Sequence, residues 1–392
     1  MFCLRSVLPV CFLLVFLGFS SPSLGQKQNP HPAIAEISTL LKQGKRERVE
    51  QQVLSHLKSN SSNLELLLAL GQLVGIHKEL GLAETCFRRA TELSAGSFPA
   101  QFNLGLTLFQ AGRPGQAIDS LTKAATLSPA SFEARYIWGR ALLETGDKIG
   151  GIRRLREAQA LRPRHSGLLA LLGVEYLQNG YYNDAVHILK QATQLEPSNE
   201  KLQLLLIQAY HSSFDLGQAA EQARQTAQRF SRSADAQFRL AYQLQMEGKF
   251  SEAEVAYQRV LTLDRGHLQA NLALGQVRQR QTRFAEAVSH YERVLSVQPQ
   301  SSEARMGLAR CCLALKQYQQ ASTILTQLLR ENPSEPQVHL LLSQLYRVEG
   351  KPAESASERQ RFLELTTSPS APTGMSHSLP ASRAKRFPAS EN

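Results

Sequence analysis

The chain repeats itself every 34 residues without an insertion or deletion, and this spacing limits its fold more than any other feature. Steps of 34 from Leu172 reach a large apolar residue in nine copies, from Leu70 to Leu342. The residue that follows is glycine, alanine or serine in eight copies and isoleucine in one, at Ile207. Nine copies in register, eight of them with this large-and-small pair, predict an array of similar units rather than separate globular domains.

Each copy predicts two helices joined by tight turns. In residues 166–199, Leu172 and Tyr176 fall on one face of a helix, since steps of three and four residues return to the same side. Gly180 suits the left-handed conformation that ends a helix. A second amphipathic run follows, and Pro197 prevents it from continuing. The small residue beside Leu172 would let the two helices cross closely.

This unit resembles the tetratricopeptide (TPR) repeat, whose pattern is W-x2-L-G-x2-Y, then A-x3-F, then P. The matching residues are Leu169, Leu172, Gly173, Tyr176, Ala185, Leu189 and Pro197, with leucine in place of Trp and Phe. The resemblance implies an all-α fold, a TPR α-solenoid in which antiparallel helix hairpins build a right-handed superhelix.

The first 25 residues predict a secretory signal peptide. Arg5 precedes a nearly unbroken apolar run at 7–19, and Ser23 and Gly25 are small residues at the positions that a signal peptidase reads. The apolar run is shorter than the roughly 20 residues that span a bilayer, so a retained anchor is the less favoured alternative. We therefore expect an exported protein, periplasmic or in the cell envelope if bacterial and secreted otherwise.

The rest of the chain divides into three predicted parts. Residues 26–63 keep the helical pattern but lose the consensus, so we interpret them as a degenerate N-terminal capping repeat. Residues 64–369 hold nine repeats of 34 residues. Residues 370–392 are rich in Ser and Pro and poor in apolar residues, which predicts a disordered tail. No later stretch is long and apolar enough to predict a membrane span.

No motif for catalysis, cofactor binding or metal binding emerges, and repeats occupy nearly the whole mature chain. We therefore predict a protein that is not an enzyme, with no catalytic or metal-ligating residues and no cofactor. Three cysteines remain after the signal peptide, Cys86, Cys311 and Cys312, near packing positions. We expect buried thiols, and a redox or metal role for the vicinal pair is the alternative.

The resemblance also implies where a partner binds. In TPR proteins, first helices line a concave groove, and positions two, five, nine, twelve and thirteen of each repeat contact the ligand. Carried over to this sequence, the predicted groove residues are Phe102, Leu106, Phe109, Tyr136, Arg140, Leu143, Leu204, Phe238, Tyr242, Met306 and Arg310. These residues are largely apolar and aromatic, which favours an extended peptide or an amphipathic helix. The alternative is that some fifth-position side chains only complete the helix packing.

The predicted function is a non-catalytic scaffold that binds protein or peptide partners. The alternative is a substrate-recruiting accessory subunit of a separate transferase or envelope-polymer assembly enzyme. The formal net charge is +11, and the densest basic cluster is Arg153, Arg154, Arg156, Arg162 and Arg164. Contact of this cluster with an anionic envelope surface is a further interpretation, and a solvated helix face is the simpler one. A nucleic-acid partner is not predicted, because stacking aromatics are not interleaved with these arginines.

Overall fold

The computed structural model describes residues 31–59, 62–367 and Phe387. The predicted signal peptide and all of the predicted tail except Phe387 lie outside these residues. The described residues form helices and turns, with no β-strand. The expected all-α fold of successive helix hairpins is confirmed.

Helices occur in pairs along the chain. In order they are α1 (Pro32–Lys42), α2 (Arg46–Ser59), α3 (Leu64–Ile76), α4 (Leu80–Leu93), α5 (Phe98–Gln110), α6 (Pro114–Leu127), α7 (Phe132–Glu144), α8 (Lys148–Leu161), α9 (Ser166–Gln178), α10 (Tyr182–Leu195), α11 (Glu200–Ser212), α12 (Leu216–Arg229), α13 (Ala234–Met246), α14 (Phe250–Leu263), α15 (Leu268–Arg280), α16 (Phe284–Val297), α17 (Ser302–Ala314), α18 (Tyr318–Glu331), α19 (Pro336–Val348) and α20 (Pro352–Thr367). From α3 onward the odd-numbered helices, called first helices below, begin every 34 residues.

A side chain caps the start of each first helix from α3 to α19. It accepts a hydrogen bond from a backbone N–H two or three residues later, which satisfies one of the free donors at a helix N-terminus. The capping residues, again 34 apart, are Asn63, Ser97, Ser131, His165, Asn199, Ser233, His267, Ser301 and Glu335. Three of the ten histidines serve as helix caps through Nδ1: His165 and His267 in this series, and His31 at the start of α1.

The small residue of each repeat lies where the first and second helices cross. A Cβ placed on Gly173 would come within 2.5 Å of Leu189 Cδ2, and one on Gly105 within 2.6 Å of Leu121 Cγ. The partner is 16 residues later in both cases, and Gly275 and Tyr291 repeat the arrangement in α15 and α16. Close approach of the paired helices therefore depends on the missing side chain, as the sequence pattern indicates.

The chain divides into two compact units. Unit 1 comprises Met1–Asn179, His187–Leu195 and Phe387–Asn392, and unit 2 comprises Gly180–Val186 and Glu196–Arg386. In unit 1, Leu67, Ala90 and Ala100 form one buried cluster between neighbouring hairpins.

Unit 2 contains three buried clusters that follow one another along the repeats. Tyr257, Tyr291 and Leu325, all on second helices, each belong to one of them. In the last hairpin, Ser343 and Ser355 hydrogen-bond each other's backbone carbonyls across the crossing, at 2.9 and 2.8 Å. Helix α20 buries none of its residues, in keeping with the eroded consensus of this repeat.

Candidate functional site

The predicted groove residues of unit 1 are mostly buried. Phe102 is 2% exposed, and its ring stacks on Phe98 with centroids 5.7 Å apart. Tyr136 stacks on Phe132 in the same way, at 5.5 Å. Leu106, Phe109 and Leu143 are also buried. The side chains of these five predicted groove residues therefore pack inside the repeats, and their role in partner binding stays a prediction.

Among the predicted groove residues of unit 1, Arg140 alone remains partly accessible to solvent. Its guanidinium lies 4.8 Å from the centre of the Phe109 ring and 5.9 Å from that of Tyr136. The Glu144 carboxylate, one turn further along α7, is 3.6 Å away. Arg140 is therefore held by two aromatic faces and one acid of its own unit.

The predicted groove residues of unit 2 are more accessible. Tyr242 is 37% exposed, and Leu204, Phe238, Met306 and Arg310 are half-buried. All five lie on the first helices α11, α13 and α17. The accessible apolar surface on predicted positions is therefore concentrated in unit 2.

Four rings lie together on this surface, and we call them the Phe238 cluster: His211, Phe238, Tyr242 and His267. The Phe238 ring stacks on His267 at a centroid distance of 5.0 Å and on Tyr242 at 6.5 Å. His211 meets Tyr242 edge to face at 5.6 Å. Beneath the cluster, the ring of buried Tyr257 lies 5.7 Å from Phe238, and its hydroxyl donates to Gln245. Such pairs hold the rings in defined orientations, so the cluster is a preformed aromatic surface.

Arg239, next to Phe238 on α13, was not among the predicted groove residues. Its side chain is half-buried, and burial lowers the pKa of the guanidinium, although Asp235 and Tyr242 oppose that shift. In the part of the chain that the structure describes, no carboxylate oxygen lies within 4.0 Å of Arg239. Burial and then the Arg239 charge lower the pKa of His211, while the Gln243 side chain opposes this.

The α17 portion of this surface carries paired polar groups. Arg310 donates to Gln337 Oε1 on α19 at 2.9 Å and approaches Met306 Sδ at 3.7 Å. Gln276 on α15 donates to Glu303 on α17 at 2.6 Å. These bonds join position nine of one repeat to position two of the next. They could have been anticipated, because the two positions lie 27 residues apart in both cases.

The three cysteines after the predicted signal peptide are buried free thiols. Burial raises the pKa of Cys86 and of Cys311 to about 12, so both remain protonated at neutral pH. Among the residues that the structure describes, no group of three His, Cys, Asp or Glu side chains is arranged to hold a metal ion. The expectation of buried thiols is confirmed.

The predicted basic cluster is partly neutralised. Arg154 pairs with Glu157 at 2.6 Å and lies 4.1 Å from the centre of the Trp138 ring. Arg162 pairs with Glu133 at 2.6 Å. Arg153 and Arg164 are exposed. Within the described residues, no helix is long and apolar enough to cross a membrane.

Comparisons with known proteins agree with this architecture. Sequence models of the family described as Tetratricopeptide repeat match residues 68–132, 102–166, 166–199 and 278–345. No curated protein matches the chain.

The chain is also similar in fold to several solved structures. One is the C-terminal part of a TPR repeat-containing protein from Cytophaga hutchinsonii, with 12% identity and a TM-score of 0.51 over 62% of this chain and 98% of that one. Another is the Cut9-Hcn1 hetero-tetramer of the APC/C, with 13% identity and a TM-score of 0.47 over 84% of this chain and 80% of that one. A third is MamA from Desulfovibrio magneticus RS-1, with 20% identity and a TM-score of 0.39 over 43% of this chain and 96% of that one. At these identities the likeness concerns the fold alone.

Proposed function

This chain is a tetratricopeptide repeat protein, and from that premise we propose that it is an exported, non-catalytic scaffold that binds a protein or peptide partner on its first helices. The observation that carries the proposal is the Phe238 cluster, an accessible and preformed aromatic surface on the repeat positions that bind ligands in related proteins. Aromatic side chains supply much of the binding energy in protein interfaces, because they bury large areas at a small entropic cost.

An extended peptide suits this surface better than a small molecule. The accessible groups lie on several first helices of one unit, with Leu204 on α11, Tyr242 on α13 and Met306 on α17. An elongated apolar ligand can contact several of these helices at once, with each contact contributing a small part of the affinity.

Selection from a displayed library of 12-residue peptides against the purified protein tests the proposal. We expect recovered peptides to lose at least about tenfold in affinity when Phe238 and Tyr242 are both replaced by alanine. Phe214→Ala is the matched control, because Phe214 is an exposed phenylalanine of the same unit in the turn after α11. Equal binding by the Phe238→Ala/Tyr242→Ala double variant and the unmodified protein would contradict this placement of the surface.

Crosslinking of the full chain in its own cell envelope identifies the natural partner. If the protein is a scaffold, crosslinking should recover structural or assembly proteins. If it is an accessory subunit, crosslinking should recover one enzyme in stoichiometric amount. Recovery of that enzyme would replace the scaffold proposal with the accessory one.

Export is proposed from the charge and hydropathy pattern of residues 1–25. A fusion of the chain to alkaline phosphatase, which gains activity only in an oxidising compartment, tests it. The fusion should be active with residues 1–25 present and inactive without them, and the exported protein should begin at Gln26. Equal activity of the two fusions would overturn the export proposal and leave the binding proposal unaffected.

A further inference from the structure

We infer that Arg239, next to Phe238 on α13, forms a subsite for one acidic side chain, aspartate or glutamate, of the peptide bound at the Phe238 cluster. The inference rests on the proposed peptide-binding function and adds the chemistry that the surface selects. The observation behind it is that half-buried Arg239 has no anionic partner among the described residues, whereas Arg278, Arg305 and Arg310 each have a polar partner.

The environment of Arg239 differs from that of the other buried or half-buried arginines on first helices of unit 2. Arg278 meets Glu254 at 3.3 Å, Arg305 meets Glu331 at 2.6 Å, and Arg310 donates to Gln337 at 2.9 Å. Arg239 is as enclosed as Arg310, yet it forms no ion pair or hydrogen bond with any residue that the structure describes. A cation partly removed from water without an anion is unfavourable, so a ligand carboxylate would gain a charge-assisted contact there.

The nearest acid of the unit does not fill this role. Asp235, one helical turn before Arg239, lies 3.7 Å from His267, and a hydrogen bond with His267 is the main cause of its lowered pKa. The Asp235 carboxylate therefore pairs with His267, the residue that caps α15. It influences Arg239 only through its charge at longer range.

Burial and then the nearby Arg239 charge lower the pKa of His211, which favours the neutral form of the imidazole. The Tyr242 ring, 5.6 Å from His211, forms an apolar wall of the same subsite.

The arrangement favours a carboxylate in a peptide over a phosphate surface. A single guanidinium on the helix that carries Phe238 and Tyr242 matches one acidic residue with an apolar neighbour, whereas lipid headgroups and nucleic acid require several exposed cations together. The known carboxylate clamp of TPR domains uses lysine at position five and asparagine at position nine, and in this repeat those positions hold Phe238 and Tyr242.

Paired substitutions in the protein and in a library-selected peptide test the subsite. Each acidic residue of the peptide is changed to its amide, and Kd is measured by fluorescence anisotropy for unmodified protein, Arg239→Gln and Arg265→Gln. Arg265 is the matched control, since it is exposed in the loop after α14 and carries the same charge. Circular dichroism of both variants verifies that they are folded.

We expect one amide replacement to weaken binding to the unmodified protein by about tenfold or more, which is typical of a charge-assisted hydrogen bond. Arg239→Gln should weaken binding of the acidic peptide to the same extent and should make the amide replacement harmless. Arg265→Gln should leave Kd unchanged. This non-additive pattern would show that the two groups contact each other.

Additive losses, or an Arg239→Gln variant that binds the acidic peptide as tightly as the unmodified protein, would overturn the subsite. If binding still requires Phe238 and Tyr242 in that case, the proposed function stands without it. Recovery of no peptide at all would reject both. If phosphatidylserine vesicles bind in an Arg239-dependent way and acidic peptides do not bind, the ligand of the subsite is a lipid surface and not a peptide.

Discussion

Gly173 illustrates how a missing side chain sets the spacing of two helices. A Cβ at this position would come within 2.5 Å of Leu189 Cδ2, so Gly173→Val should force the helices apart and reduce the free energy of unfolding by about 2 kcal/mol. Gly81→Ala is the control, because a Cβ there meets nothing within 4 Å. Urea denaturation followed by circular dichroism measures both. Equal stability of Gly173→Val and the unmodified protein would mean that the crossing is loosely packed.

Arg239 and Arg305 allow a comparison of two arginines of unit 2 without any ligand. Arg305 is buried and pairs with Glu331 through both guanidinium nitrogens, at 2.8 and 2.6 Å, so Arg305→Gln should cost about 1–2 kcal/mol of stability. Arg239→Gln removes no ion pair and should change stability by less than about 0.5 kcal/mol. Thermal and urea unfolding measure the two variants together. A large loss in Arg239→Gln would reveal a structural role for Arg239.

The lowered pKa of His290 should make the folded protein less stable in acid. The ring is buried among Asn271, Arg278 and acids of α14 and α16, and burial, then Arg278 and Arg293, lowers its pKa to about 4. Above pH 6.5 the ring is neutral in both the folded and unfolded states. As pH falls from 6.5 towards 4, the unfolded chain binds a proton that the folded chain does not, so unfolding becomes more favourable.

The pH effect can be isolated with a His290→Gln variant. Between pH 7 and pH 4.5 the unmodified protein should lose about 2–3 kcal/mol more unfolding free energy than this variant, since each pKa unit corresponds to about 1.4 kcal/mol. Urea titrations at the two pH values provide the measurement. Parallel losses in both proteins would show that His290 titrates normally in the folded state.

The turns between paired helices require a left-handed residue at one position of every repeat. From the second of the nine repeats onward, this residue is glycine in five repeats, at Gly112, Gly146, Gly180, Gly248 and Gly350. In the other three it is Phe214, Thr282 or Lys316, with φ of +60°, +62° and +61°. A β-branched residue is strained in this region. Thr282→Gly should therefore stabilise the protein by about 1 kcal/mol, and Gly248→Thr should destabilise it by a similar amount, as measured by thermal unfolding. Opposite signs for the two would contradict this account of the turn.

The hairpins themselves were largely predictable, because their signals are local. Apolar residues at helical spacing, Gly180 in the turn and Pro197 after the second helix indicate the helices of one repeat, and the period of 34 extends them to the others. The capping residues also recur every 34 positions. His165 and His267 illustrate why they are easily missed, since histidine is not a usual helix cap.

Across the whole molecule, exposure of the candidate site could not be predicted from the repeat pattern. Phe102 and Phe238 share position five, yet the first is buried and the second is half-buried. Accessibility depends on the size and charge of neighbours in adjacent repeats, which a position number does not contain. Arg239 was missed for the same reason, because its lack of an acidic partner is a property of the surrounding repeats.

Hydrogen exchange of the purified protein, with and without a library-selected peptide, tests most directly whether partners bind on the first helices. We expect the peptide to slow exchange in α11 and α13, because these helices carry Leu204 and the cluster members His211, Phe238 and Tyr242. Exchange in the second helices α12 and α14 should change little. Protection confined to second helices or to the turns would contradict it.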